Sequence, residues 1–145
     1  MFYLKLNTNF RFLCYNVVVG DIDMNKVISF LKDCGVFFVS TINKSNPATR
    51  PFGAVMMNNN KLYLSTGRTK DVYNQINENE NIQIVALKNG TRDWIRIDGK
   101  AKETNDLNLK QEMLKECPIL TKRYSSVEDD NFVLIEVEVK NYQIY

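Results

Sequence analysis

From residue 23 onward the apolar positions fall into short segments with two alternating periods. Val27, Ile28, Leu31 and Cys34 repeat at helical spacing behind Asp23, which can cap, and Gly35 ends the run. This predicts a short helix over 23–34. GVFFVSTI, β-branched and aromatic, predicts a strand that stops at the turn-forming run Asn43-Lys44-Ser45-Asn46-Pro47. A second strand is predicted from Ala48 to Met57, with Pro51 calling for an edge, a bulge or an N–H facing away from the ladder. Asn58-Asn59-Asn60 turns the chain, because asparagine tolerates the left-handed region, and Lys61 to Ser65 returns as a hairpin partner. TGRTKDVYNQINENEN then breaks the strand period, and Val72, Tyr73 and Ile76 predict a short helix after a polar loop. Ile82 to Lys88 and Asp93 to Glu103 flank Asn89-Gly90, a strong hairpin signal. Leu107, Leu109, Met113 and Leu114 place a helix between Asp106 and Glu116, ended by Pro118. FVLIEVEVKNYQIY closes the chain with alternation that turns Val133, Ile135, Val137 and Val139 inward. Six strands joined mostly by hairpins predict a mainly β (α+β) antiparallel barrel with short flanking helices, not a doubly wound sheet.

Composition narrows the chemistry. A length of 145 residues suits one domain, and 19 basic against 17 acidic residues, scattered through one another, give no cationic block to follow nucleic acid. Cys14, Cys34 and Cys117 are odd in number and far apart, which predicts reduced thiols in a cytoplasm and neither a disulfide framework nor a metal site. The chain contains no histidine, which removes Ser-His-Asp and Cys-His nucleophile systems. Chemistry here calls for a borrowed cofactor.

Residues 1–23 differ from the rest. Lys5, Asn7, Asn9, Arg11 and Asn16 interrupt every apolar run, so neither a signal peptide nor a membrane span is predicted. Phe10, Phe12 and Cys14 alternate like an added strand; alternatively the segment is upstream sequence ahead of a start at Met24, and Gly20-Asp21 is encodable by a purine-rich ribosome-binding sequence. The expected division is a leader over 1–23, outside the native product on the second reading, and one domain over 24–145.

Three clusters carry candidate chemistry. On the strand after Asn89-Gly90, Ile95, Ile97, Gly99 and Ala101 share one side, and Trp94, Arg96, Asp98 and Lys100 the other. A tryptophan on a polar face is either a rim residue packed by its own loop or part of a subunit interface or planar-ligand site. Thr66-Gly67-Arg68-Thr69-Lys70 brings hydroxyls, cations and a flexible glycine to the start of a helix, as phosphate binding needs, although a solvated basic turn has the same composition. Arg50-Pro51-Phe52-Gly53 sets an arginine and a backbone-permissive glycine at a strand, suited either to a flat ligand or to an edge bulge.

Taken in order, RPFG, LYLSTGRTKDVYNQI and WIRIDGKA resemble the short bacterial pyridoxamine 5'-phosphate oxidase-like proteins, over the whole chain except the leader. The resemblance implies a six-stranded split β-barrel and a homodimer holding FMN in clefts between subunits. It implies that Arg50, Phe52 and Gly53 lie along the flavin and ribityl chain, and that Ser65, Thr66 and Lys70 meet ribityl and phosphate. Trp94 and Arg96 complete the cleft, from the same subunit or the other. The expected function is FMN-dependent oxidoreduction of a small molecule, with a donor such as NAD(P)H; the alternatives are a non-catalytic module that binds or senses flavin, and a barrel that has lost its ligand. The oxidase proper carries a histidine near its C-terminus; this chain ends KNYQIY, which argues against oxidation of pyridoxamine 5'-phosphate itself. No catalytic residue is named by the sequence.

Overall fold

The structure is a computed structural model that describes residues 21–145. Residues 1–20, most of the expected leader, lie outside the described residues. Helix α1 (Met24–Cys34) starts where the Asp23 carboxylate accepts from the Lys26 N–H and stops at Gly35, whose φ of 74° a residue with a Cβ rarely adopts. Ile22, just ahead of the cap, packs against the barrel core.

Seven antiparallel strands follow: β1 (Phe37–Asn43), β2 (Asn46–Phe52), β3 (Val55–Asn58), β4 (Lys61–Gly67), β5 (Asn81–Leu87), β6 (Trp94–Thr104) and β7 (Phe132–Ile144). Between them lie α2 (Asp71–Glu78), α3 (Leu107–Glu116) and the 3₁₀ helix Pro118–Lys122. The strands form one sheet in the order β2-β1-β5-β6-β7-β4-β3.

The sequence expectation of six strands is corrected to seven, because the stretch predicted as one strand over Ala48 to Met57 is two. β2 pairs with β1 at one edge of the sheet and β3 with β4 at the other, so the chain leaves one edge and joins the opposite one across Gly53-Ala54. The split of the barrel lies there. The β1/β2 ladder is unbroken from Phe37↔Phe52 to Asn43↔Asn46. Proline cannot donate, so the N–H groups feeding that ladder come from Asn46, Ala48, Arg50 and Phe52. The ring nitrogens of Pro47 and Pro51 then fall on the open side of the edge strand.

Asn59 and Asn60 both take positive φ, 47° and 59°, and close a two-residue hairpin between Asn58 and Lys61, as the asparagine run predicted. Asn89-Gly90 behaves differently. β5 and β6 are joined by the longer connection 88–93, in which the Thr91 N–H bonds back to the Lys88 carbonyl and only Gly90 has positive φ. A register shift at Asp98/Gly99 leaves Lys140 of β7 as an unpaired extra residue, and a Cβ on Gly99 would lie 2.9 Å from a Val137 methyl, which only glycine avoids.

The inward positions behave as predicted. Ile95, Ile97, Ala101, Val133, Ile135, Val137 and Val139 join Phe37, Val39, Leu62, Leu64 and the inner face of α1 in the barrel core. The alternation of β7 does not reach its outer face throughout, since Phe132 and Leu134 are buried as well. They pack with Met56, Tyr63, Met113, Leu120 and Tyr124 in a second core beneath α3 and the 3₁₀ helix. By contrast, no helix among the described residues covers the outward face of β1, β5 and β6. Phe38 and Leu87 stand exposed on it.

Candidate functional site

The segment that crosses between the sheet edges opens onto a cleft of about 1200 Å³. Its floor is built from β2 and the crossing (Arg50, Phe52, Gly53), its side from the end of β4 (Ser65, Thr66, Gly67), and its end from Lys70 at the start of α2. Three separate sequence segments, and six of the residues expected to bind cofactor, thus meet in one place. The rest of the lining was invisible in the sequence: Ile119, Arg123 and Tyr124 come from the connection between β6 and β7, and Asn131, beside Gly67, from the turn before β7. Only the tertiary fold brings them to the cleft.

Charge in the cleft is unevenly held. The Lys70 ammonium has no hydrogen-bond or ion-pair partner among the described residues, and Lys70 is exposed where the first turn of α2 presents unpaired N–H groups. Arg123 is likewise exposed, with no side-chain partner among the described residues. Thr66 is buried and Ser65 half-buried beside them. Gly53 has unused room: a Cβ there would meet only the Gly35 carbonyl, at 3.7 Å.

Arg50 departs from the expected role. Its Nη1 donates to the Thr41 hydroxyl at 2.7 Å and to the carbonyls of Ala48 at 2.9 Å and Val39 at 3.3 Å, and its Nη2 donates to Gln75 Oε1 at 2.6 Å. Burial lowers the guanidinium pKa from its ordinary value, with the nearby Asp71 carboxylate opposing the shift. Arg50 is therefore a brace that ties α2 to β1 and β2, with its two terminal nitrogens engaged inside the protein.

Arg68 is also withdrawn. Its Nη2 meets Glu103 at 2.8 Å, its Nη1 the Tyr73 hydroxyl at 2.7 Å and its Nε the Asp130 carbonyl at 2.8 Å, while its own N–H donates to Asn131 Oδ1. The guanidinium also sits 5.0 Å over the Tyr73 ring. Of the two cations in the 66–70 loop, one fastens the loop and the other faces the cleft. Burial raises the Glu103 carboxyl, but hydrogen bonds from Arg68 and Tyr73 and the charges of Arg68 and Lys110 outweigh it and hold its pKa below the ordinary glutamate range. A depressed carboxylate contributes stability above its unfolded pKa and loses it as pH falls through the folded value. Glu103→Gln should cost about 1 kcal/mol at pH 7. It should also flatten the fall of melting temperature below about pH 4.5, which thermal melts across an acid series will check.

Trp94 and Arg96 do not line this cleft. They lie on the outward face of β6, where Trp94 stacks on Tyr145 at 4.2 Å and Arg96 donates to Gln143 at 2.7 Å and to the Tyr145 hydroxyl at 2.6 Å. The half-buried tryptophan thus finds cover from Tyr145. Among the described residues no helix is long and apolar enough to cross a membrane.

Comparison with known proteins agrees with this architecture. No match was found among curated proteins. A NimC/NimA family protein from Clostridium acetobutylicum superposes with a TM-score of 0.74 at 29% identity, over 84% of this chain and 90% of that one. General stress protein 26 from Bacillus anthracis gives 0.71 at 21% identity, over 83% and 92%. A general stress FMN/FAD binding protein from Xanthomonas citri gives 0.70 at 14% identity, over 84% and 87%. The profile of the pyridoxamine 5'-phosphate oxidase family matches residues 24–144, from the first residue of α1 to the last of β7, and the chain belongs to that family.

Proposed function

We propose that the protein binds FMN in the cleft below the Gly53-Ala54 crossing and acts as an oxidoreductase on a small molecule, as a homodimer. The observation that carries this reading is the unpartnered Lys70 at the start of α2, beside Ser65 and Thr66, at one end of a cleft whose floor carries Phe52 and Gly53. Hydroxyls, a free cation and helix N–H groups suit a phosphate monoester, and an aromatic side chain beside a glycine with unused space suits a flat heterocycle. A general stress protein of this fold carries FMN/FAD binding in its name, which supports the flavin.

The bound flavin would supply the redox chemistry. The protein's part is to hold it: Lys70, Ser65 and Thr66 take the phosphate end, Phe52 packs against the ring, and the backbone of Gly53 lets the ring approach. Arg123 adds positive charge to the lining and suits an anionic substrate or the phosphates of a dinucleotide donor. The dimer is supported by the uncovered face, where Phe38, Leu87, Trp94 and Tyr145 stand together on adjoining strands. Aromatic residues with arginine are enriched in interfaces.

A second reading, a module that holds flavin without turnover, is favoured by the sparse acid-base equipment of the cleft, where Asp71 and Tyr124 are the titratable groups beside the cations. One experiment separates the two. The purified protein should be yellow, with FMN as the released pigment, and NADH or NADPH should bleach it without oxygen. A colourless protein that takes up no added FMN overturns both readings, and a yellow protein that no nicotinamide donor reduces leaves the module. Light scattering should report twice the chain mass, and Trp94→Ala should shift the protein toward the monomer. A protein that is monomeric at micromolar concentration would refute the dimer.

A further inference from the structure

Gln75 is a buried polar residue of the cleft to which the proposed cofactor contacts assign no role. It lies on the inner side of α2, 8% exposed, and its side chain forms part of the cleft wall. Its Oε1 accepts from Arg50 Nη2 at 2.6 Å and from the Thr41 hydroxyl at 2.6 Å. Arginine has no acceptor, so the group facing Arg50 Nη2 must be the amide oxygen; the Thr41 hydroxyl lies 3.4 Å from the Ala48 carbonyl but makes its shorter contact with Gln75. Turning the amide over would set its NH₂ against a guanidinium donor, so a single orientation survives. The opposite end, Nε2, has no partner among the described residues. No buried side-chain nitrogen or oxygen lacks one there, so Nε2 reaches the open cleft. The outcome is an amide with its oxygen fixed inside the protein and its two donors presented to whatever occupies the cleft.

We infer that Gln75 is a ligand-binding residue whose Nε2–H groups donate to an uncharged oxygen of the flavin ring or ribityl chain, with Arg50 and Thr41 as positioning residues that set its orientation. This rests on the flavin reading. The ring side is chosen over the phosphate because Lys70 starts the helix and Gln75 lies five residues on, about 7.5 Å along the axis at 1.5 Å per residue.

Gln75→Glu tests the assignment. It keeps an oxygen facing Arg50 and Thr41 but replaces the cleft-facing donors with an acceptor. Titrated by fluorescence quenching, riboflavin and FMN should both bind about tenfold or more weakly. The melting temperature of the ligand-free variant should stay level or rise, because a carboxylate pairs better with Arg50 than an amide does. A merely structural Gln75 predicts unchanged affinity in this variant, and that result overturns the inference. A loss confined to FMN also overturns it, since the acceptor would then be the phosphate. The unmodified protein is titrated alongside: if it binds neither flavin, the flavin reading itself fails, which is a separate outcome from equal binding by both proteins. A readout independent of the variant's folding is available as well. In ¹⁵N-labelled unmodified protein the Gln75 side-chain amide signals should move on saturation with riboflavin, and unmoved signals overturn the inference.

Discussion

Arg50→Ala should unfold on the order of 10 °C below the unmodified protein, a loss of about 2 to 4 kcal/mol. The substitution removes four hydrogen bonds at once, leaving the oxygen of Thr41, 2% exposed, without a donor and that of Gln75, 8% exposed, with the Thr41 hydroxyl alone. A stranded buried acceptor costs about 1 to 3 kcal/mol, more than the net gain from making the bond. Arg50→Lys should recover only part of the loss, because one ammonium on a flexible stem cannot reach Thr41 and Gln75 in the fixed geometry of the guanidinium fork. Flavin affinity should fall in both variants, since the orientation of Gln75 depends on this brace. Thermal melts of the ligand-free proteins decide the point, and a shift of less than about 2 °C for the alanine variant would show that the network is not holding α2.

Lys70→Ala should act in the opposite way, leaving the fold alone and weakening FMN by roughly 10-fold to 150-fold. The ammonium touches nothing within the described chain, so its loss should change stability by no more than about 0.5 kcal/mol. Against a phosphate it would make a charge-assisted contact worth about 1.5 to 3 kcal/mol, and about 1.4 kcal/mol is a factor of ten in affinity. Riboflavin, which lacks the phosphate, should bind both proteins alike. Added salt should weaken FMN more for the unmodified protein than for Lys70→Ala, because screening acts on the deleted charge. Equal losses for both ligands would move the phosphate elsewhere on the cleft wall. Arg123 would be the next cation to remove, since Arg68 is bound to Glu103 and Tyr73.

What the sequence revealed follows from the range over which each signal acts. Caps, turns and periodicity act over a few residues, so Asp23, Gly35, the Asn59-Asn60 turn and the inward sets of β6 and β7 were all legible. The break at Gly53-Ala54 was not, because β2 and β3 each look like half of one strand until their partners are known. The cleft was legible only in part: Arg50 to Gly53 and Ser65 to Lys70 are compact motifs, whereas Arg123, Tyr124 and Asn131 sit in a connection whose composition says nothing about where it folds back. The brace was hidden for the same reason. Thr41, Arg50 and Gln75 belong to three elements, and nothing local distinguishes an arginine that meets a ligand from one that meets a glutamine on a neighbouring helix. The stacking of Trp94 on Tyr145 was hidden in the same way, since Tyr145 is carried to it by the last residues of β7.

The split in the barrel leaves two strands whose outer sides have no partner among the described residues, and unpaired strands are where proteins recruit one another into aggregates. Each is blunted here by different means. β3 has only Val55 to Asn58 to offer, too short a template for a stable added strand. β2 is longer, but with Pro47 and Pro51 turned to its open side, the one N–H left between them to greet an incoming chain is that of Thr49. A barrel that is split open is thereby kept from polymerising through its own opening, and replacing both prolines with β-branched residues should shorten the time before the protein precipitates on gentle heating.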